Sequence, residues 1–449
     1  MKKLLPVFLT LILIVFSNCS NHNSGNTFHI KKSGFDNITP NQFEGSDTER
    51  IQSAIDIAAG TTNKILIPSR NANGTNKWLL DSAILLPSNM TVILDNCTIQ
   101  LSDRCRDNMF RSDNVGRGIV NPEWNHHIAL IGVGDVVLRG ADNPRATGDG
   151  GVSIFLDPGA EGSWSASYGS DAGKEGTKQK GDWRNIMILM GYVDGFEMKN
   201  FRIEKGHAWA VSFERIHNAV ISDIHINNPE EIVVNGTPVL VRNRDGIDLR
   251  QGCKNFRINS VSGKTGDDFI ALSNLDTRKT DFNNCGTLQS TMVTLEGWRG
   301  PEDDIEQIFI TNINCTSMFR GIAIRTSDSA SINNVYIDGL ITRKWYGGSH
   351  NSVLVGGKGY GKPSLPGRIN NIHAMNIVGN GYSLIHIEAP IENCTFMNGI
   401  YNGQSGQYSG DGKPITYNLD KNTSPNQISN IDKDKVRNVV LKNMISIID

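Results

Sequence analysis

The stretch Asn218-Ala-Val-Ile-Ser-Asp-Ile224 opens with asparagine and then alternates apolar and polar side chains. The pattern returns as Asn255-Phe-Arg-Ile-Asn-Ser-Val261, Gln307-Ile-Phe-Ile-Thr-Asn-Ile313, Asn334-Val-Tyr-Ile-Asp-Gly-Leu340, Asn371-Ile-His-Ala-Met-Asn-Ile377 and Asn438-Val-Val-Leu-Lys-Asn-Met444. Residues 195–201 and 393–400 are looser copies. A period of two writes a strand with one buried face. The shortest intervals between copies are 22 to 27 residues, and the longer ones read as one such turn plus an inserted loop. Short strands at that interval, with no helices between them, argue for a solenoid. A two-sheet sandwich would need hairpin turns about every 8–12 residues, which are missing. The expected fold is therefore all-β, a right-handed single-stranded parallel β-helix with coils stacked roughly 4.8 Å apart.

A solenoid needs its open end covered. Ser46 and Glu49 form a Ser-x-x-Glu capping box, and Ile51, Ala54, Ile55, Ala58 and Ala59 follow as an apolar stripe at helical spacing. A capping helix is expected over 46–59, leading into the strand Lys64-Ile-Leu-Ile-Pro68. Before it, Lys2 and Lys3 precede an apolar run over 4–16 that is too short to span a bilayer and suits an export signal. The run ends at Ser17-Asn18-Cys19-Ser20, where Cys19 resembles a lipid-modified cysteine of bacterial lipoproteins. The expected organisation is a signal over 1–19, a tether over 20–45 and a β-helix over 46–449. The expected location is exported, periplasmic or anchored at a bacterial outer membrane, with the lipid as the only membrane contact. Segments 157–181 and 275–305 break the coil rhythm and are expected as loops, either binding loops on a rigid scaffold or plain surface insertions.

The apolar share of 38% and the 46 glycines suit many short strands and turns better than a helical core. A net charge of -2 with no run of like charges gives no basic face, so nucleic acid is not an expected partner. Beyond Cys19, the cysteines are 97, 105, 253, 285, 315 and 394. They form no Cys-x-x-Cys pair and no Cys/His cluster with zinc spacing, so neither a metal nor a cofactor is expected. They read as small buried residues, with Cys97 and Cys105 the one pair left open to a disulfide.

The chemistry concentrates in Asn243-Arg244-Asp245-Gly246-Ile247-Asp248 and, one coil on, Gly266-Asp267-Asp268. Asp245 and Asp267 are 22 residues apart, the shortest coil interval, which would stack their carboxylates on one face. Asp268 joins them if the chain bends at Gly266, since neighbours in a straight strand face opposite sides. Clustered carboxylates repel, so one of them should hold its proton to higher pH. An acid beside ionised carboxylates is what glycoside hydrolysis uses. The bland alternative is a polar ladder of aspartates at turns.

These motifs resemble glycoside hydrolase family 28, the polygalacturonase-like members of the pectin-lyase-like β-helix proteins. That family carries Asn-x-Asp, then Asp-Asp about a coil later, then Gly-His-Gly, then Arg-x-Lys. Asn243-Arg244-Asp245 is similar to the first and Gly266-Asp267-Asp268 to the second; the likeness extends over 46–101 and 183–341. The resemblance implies Asp267 as general acid, with Asp245 and Asp268 activating water by an inverting route and Asn243 binding substrate. No histidine occurs between Asp268 and Asn334, so Gly-His-Gly is missing. Arg-x-Lys falls on Gly321-Ile-Ala-Ile-Arg-Thr326, which leaves Ala323 for the arginine and Arg325 for the lysine. Hydrolysis of an acidic, uronate-bearing or rhamnogalacturonan-type polysaccharide or oligosaccharide is expected, with Arg325 gripping an anionic group. Lys264 is a further candidate for an acidic sugar, against the reading of an ordinary exposed lysine. His207 and Trp209 are candidate cleft residues, against the reading of packed core side chains. The rival classes are a polysaccharide lyase, for which the aspartates would hold calcium, and a non-catalytic glycan-binding β-helix.

Overall fold

A computed structural model describes residues 37–148, 183–228, 231–234, 236–241, 244–275, 291–294, 298–344, 350–356, 362–402, 427–431 and 433–447. Cys19, Asn243 and the loop 157–181 lie outside these residues, as does the 1–36 segment read as signal and tether.

Each turn of the chain lays down up to three strands, and each strand pairs in parallel with its counterpart one coil on, which is a parallel β-helix. One stack holds Lys64–Ile67, Thr91–Asp95, Lys254–Thr265, Ile305–Ser317, Ile332–Lys344 and Ile369–Gly379 among its members. A second stack runs through Val211–Asn228, Ile247–Leu249, Ile270–Asn274, Arg320–Thr326, Asn351–Val355 and Ser383–Ile387. This second stack carries the aspartates. The coils begin at residue 64, earlier than the sequence repeat reveals.

The asparagines of the repeat sit at the corners. Asn218, Asn255, Asn334, Asn371, Asn393 and Asn438 have φ between 52° and 58°, and Asn312, Asn376, Asn398 and Asn443 turn a second corner at 54–56°. Left-handed backbone costs most L-residues about 1–2 kcal/mol, and asparagine tolerates it best because its short amide bonds locally. The amides also bond along the axis. Asn255 Nδ2 donates to Asn218 Oδ1 at 2.6 Å, Asn371 to Asn334 at 2.5 Å and Asn438 to Asn393 at 2.8 Å.

Between the corners the apolar residues fill the lumen. Ile221, Ile258, Ile310, Ile337 and Ala374 are all fully buried at equivalent register positions. Each fully buried Ile contributes roughly 1.5–3 kcal/mol relative to exposure. The helix Asp47–Ala58 adds Ile51, Ala54, Ile55 and Ala58 to the same core. Its capping box forms as expected: Glu49 N–H donates to Ser46 Oγ at 3.3 Å, and Ser46 N–H to Glu49 Oε2 at 2.8 Å. Cys97 and Cys105 are both buried free thiols, so the disulfide left open between them is absent. Burial pushes each thiol up to about 12.

Candidate active site

The stretch around Asp245 and the Asp267-Asp268 pair meet at the leading edge of the second stack. Ile247 pairs with Ile270, 23 residues on, and Gly246 N–H donates to Asp268 O at 3.0 Å. Continued back, that register places Asp268, not Asp267, over Asp245. The 22-residue spacing between motifs thus misjudges the rung by one residue. Gly246 permits the close approach, since a Cβ there would lie 2.3 Å from Phe269 O. The bend expected at Gly266 is present: the strand Lys254–Thr265 ends there, and the Thr265 hydroxyl donates to Asp267 O at 3.0 Å. Asp267 therefore turns toward the same cluster instead of facing away.

The next rung brings cations. Ile270 pairs with Ile322, and Phe269 N–H donates to Arg320 O at 2.9 Å, which sets Arg320 over Asp268. Arg320 Nη1 lies 3.2 Å from Asp268 Oδ1 and 3.5 Å from Asp267 Oδ1, and Arg325 Nη1 lies 3.0 Å from Asp268 Oδ2. Asp268 is 1% exposed, while Asp245 and Asp267 reach the surface at 7% and 9%. Asp268 is thus clamped by two guanidinium groups, and Asp245 and Asp267 are the more exposed of the three carboxylates.

Two residues of this cluster escaped the sequence reading as site residues. Arg320 is one; its coil lies 52 residues beyond the Asp267-Asp268 coil, behind the insertion at 275–305. Asp248 is the other, 1% exposed between the core residues Ile247 and Leu249. Burial, with the Asp268 and Asp267 carboxylates nearby, pushes its own carboxyl well above the usual range, against the pull of Arg250 and of the Asp245 side chain. The signal for Asp248 was the strand alternation itself, which turns residue 248 away from the core-filling Ile247 and Leu249.

Of the remaining expected residues, Arg325 faces Asp268 in an ion pair, its side chain only 8% exposed. Ala323 is fully buried between Ala271 and Leu354. Lys264 is the penultimate residue of the strand that leads into the Asp267 bend, paired with Asn227 and Thr316, and partial burial lowers its ammonium. His207 is corrected to a core histidine. It is 2% exposed, its Nε2 accepts from Ala141 N–H at 2.8 Å, and burial beside Arg244 drops it to about 3. Arg244, the middle residue of Asn-x-Asp, is itself buried and donates to Gly206 O. Trp209 does adjoin the cluster. Ala210 N–H donates to Asp245 O at 3.0 Å, which puts Trp209 one rung below Asp245, with the Arg250 guanidinium 5.3 Å from its ring.

Part of the 275–305 insertion is pinned to this face. Glu214 accepts from Val293 N–H at 2.7 Å, Arg250 donates to Thr291 at 2.8 Å, and Arg215 grips Asp303 through two bonds of 2.8 and 2.9 Å. Among the described residues, no three His, Cys, Asp or Glu side chains are placed to hold a metal ion.

The family model for glycosyl hydrolases family 28 matches residues 136–341, the span that carries Asp245, Asp248, Asp267, Asp268, Arg320 and Arg325. The chain is family 28-like. Solved structures agree on the architecture. An endo-xylogalacturonan hydrolase from Aspergillus tubingensis superposes with TM-score 0.55 at 13% identity, covering 93% of this chain and 92% of that one. A polygalacturonase from Erwinia carotovora ssp. carotovora gives 0.52 at 15% identity, covering 94% and 96%. A mutant tailspike of E. coli bacteriophage HK620, solved with a pentasaccharide, gives 0.56 at 11% identity, covering 92% and 66%. At these identities the likeness is one of fold. No curated relative matches the chain in sequence. The family 28-like span ends at residue 341, and the coils that follow it continue the same stacking through Val436–Ser446.

Proposed function

We propose that this protein is a glycoside hydrolase that cleaves a glycosidic bond in an acidic, pectin-like polysaccharide by an inverting acid/base mechanism. The observation that carries the reading is the convergence of Asp245, Asp267 and Asp268 at one opening, with arginines on the adjoining rung. In this reading Asp267 protonates the glycosidic oxygen. Asp245 and Asp268 hold a water and take its proton as it attacks the anomeric carbon. Arg320 and Arg325 fix the carboxylates in place and add positive charge where an anionic sugar would lie; Lys264 contacts the substrate from the flank, and Asn243 is a further substrate contact by its motif. A uronate-bearing or rhamnogalacturonan-type backbone suits that charge, and the relatives named above for xylogalacturonan and polygalacturonate lend the reading support. Export through the 1–19 segment, with Cys19 carrying a lipid, belongs to the same proposal, because such a substrate lies outside the cell.

The test is a panel of pectic and other acidic polysaccharides, read for new reducing ends and, in parallel, for the absorbance of unsaturated uronates. Reducing ends without that absorbance are expected. Unsaturated products would replace hydrolysis with elimination, and binding without turnover on every glycan would make the protein a lectin-like module.

A further inference from the structure

We propose that the protein is exo-acting: it takes a polysaccharide by one end, because the path past Asp245 is walled off on the N-terminal side. Cleavage at that end rests on the hydrolase reading above; the wall does not. Asp245, Asp268 and Arg320 stand on three successive rungs of the second stack. A sugar chain that meets both the carboxylates and the arginine therefore runs along the solenoid axis.

Below Asp245 that line is covered. Trp209, one rung down, is 5% exposed, and its neighbours Ala208 and Ala210 are fully buried. In the strand Val211–Asn228, Val211 and Phe213 fill the lumen, so Ser212 and Glu214 face outward. Both are fully buried nonetheless, as is Leu189, the register partner of Ser212 on the rung below. An outward face that is buried carries a cover, and residues 291–294 form part of it. Glu214 accepts from the Val293 and Thr294 N–H groups at 2.7 and 3.3 Å and from the Thr294 hydroxyl at 3.0 Å. Val293 packs in one apolar cluster with Trp209, Leu189, Ile186, Tyr192 and Val115. Asp303, 1% exposed, is held by Arg215 at 2.8 Å and Arg299 at 3.1 Å. A second segment covers the rungs beneath: Arg111 Nε donates to Val115 O at 3.1 Å, and Asn114 Nδ2 to Tyr192 O at 2.9 Å. Buried charges paired in this way are costly to separate, so the cover stays in place when substrate binds.

Above Asp268 the same line stays accessible. Phe319 and Tyr382, each just before its strand one and three rungs up, are half-buried. The Arg320 side chain is 22% exposed beside Phe319, and the half-buried Lys344 places its Nζ 4.5 Å from the Tyr382 ring. Cations on the accessible side suit a run of acidic sugars. A chain can thus extend over these rungs, but at Asp245 it meets Trp209 and Val293 and must end.

The test digests the pectic polysaccharide that the panel shows to be cleaved, following viscosity and product size from the first minutes. Short products of one constant length are expected from the outset, with viscosity falling only as sugar is released. A ladder of intermediate lengths with an early collapse of viscosity overturns the proposal and leaves the hydrolase reading standing. Glu214→Ala removes the acceptor that holds residues 293–294, so intermediate lengths should appear in its digest. A folded Glu214→Ala protein with the wild-type product pattern contradicts the wall. Binding gives an arm that needs no turnover. Asp267→Asn protein is titrated with polygalacturonate and rhamnogalacturonan, each in two chain lengths. At equal mass, halving the chain length should double the number of binding sites, because only ends bind. An equal number of sites at both lengths overturns the proposal, and binding to neither glycan counts against it and the hydrolase reading together. A wild type that binds by ends but cleaves no glycan would remove the hydrolase reading alone.

Discussion

Two columns of residues run along this solenoid under the same rung geometry, and they differ in kind. The corner column repeats: Asn218, Asn255, Asn334, Asn371, Asn393 and Asn438 share one backbone conformation and bond amide to amide. The column at the edge of the second stack changes at every rung, from Trp209 through Asp245, Asp268 and Arg320 to Asn351. Repetition is what a stacked fold needs from each coil alike, because every rung presents the same backbone strain and the same unsatisfied amide to the next. Variation marks the place where neighbouring rungs supply different groups to one opening. A charge column without repetition is costly to pack unless its charges are paired, as Asp268 is by Arg320 and Arg325.

Substitutions in the two columns should therefore fail in different ways. Asp267→Asn keeps volume and removes the proton donor. Turnover should fall about 10²–10⁴-fold, with melting temperature held close to wild type. Arg325→Ala leaves Asp268 half-clamped and nearly without solvent. Breaking such a buried pair costs about 3–5 kcal/mol, so chemical denaturation should show the loss in stability together with a loss in kcat. In the corner column, Asn334→Ala places a Cβ residue without an amide at φ 58° and breaks the bond from Asn371. About 2 kcal/mol of stability should go, while kcat and KM per folded molecule stay at wild-type values. Loss of turnover in Asn334→Ala beyond its unfolded fraction would erase the distinction between the columns.

The same contrast governs what was legible beforehand. The corner column was readable because left-handed backbone selects asparagine so strongly that the coil interval appears in the letters. The coils from Lys64 to Arg139 were harder: their corners are Asn63, Asn89, Asn96 and His127, set in stretches that do not repeat. Asp245, Asp267 and Asp268 were found as a group, yet their register was not, because motif spacing measures chain length and the ladder of hydrogen bonds sets the rung. Arg320 was hidden by the insertion that separates its coil from that of Asp268. His207 looked available because glycine and tryptophan flank it, but the buried Ala141 N–H claims its ring nitrogen. Those outcomes depend on contacts between distant coils, which no local pattern records.

In the proposed mechanism Asp267 and the Asp245–Asp268 rung act on opposite sides of the scissile bond, acid against water. Proton NMR of the first product released, recorded before mutarotation, reads this directly from the anomeric signal. A product of inverted configuration is expected, as a water-filled gap between acid and base requires. A product that retains the substrate's configuration would demand a covalent intermediate on one of these carboxylates and contradict it.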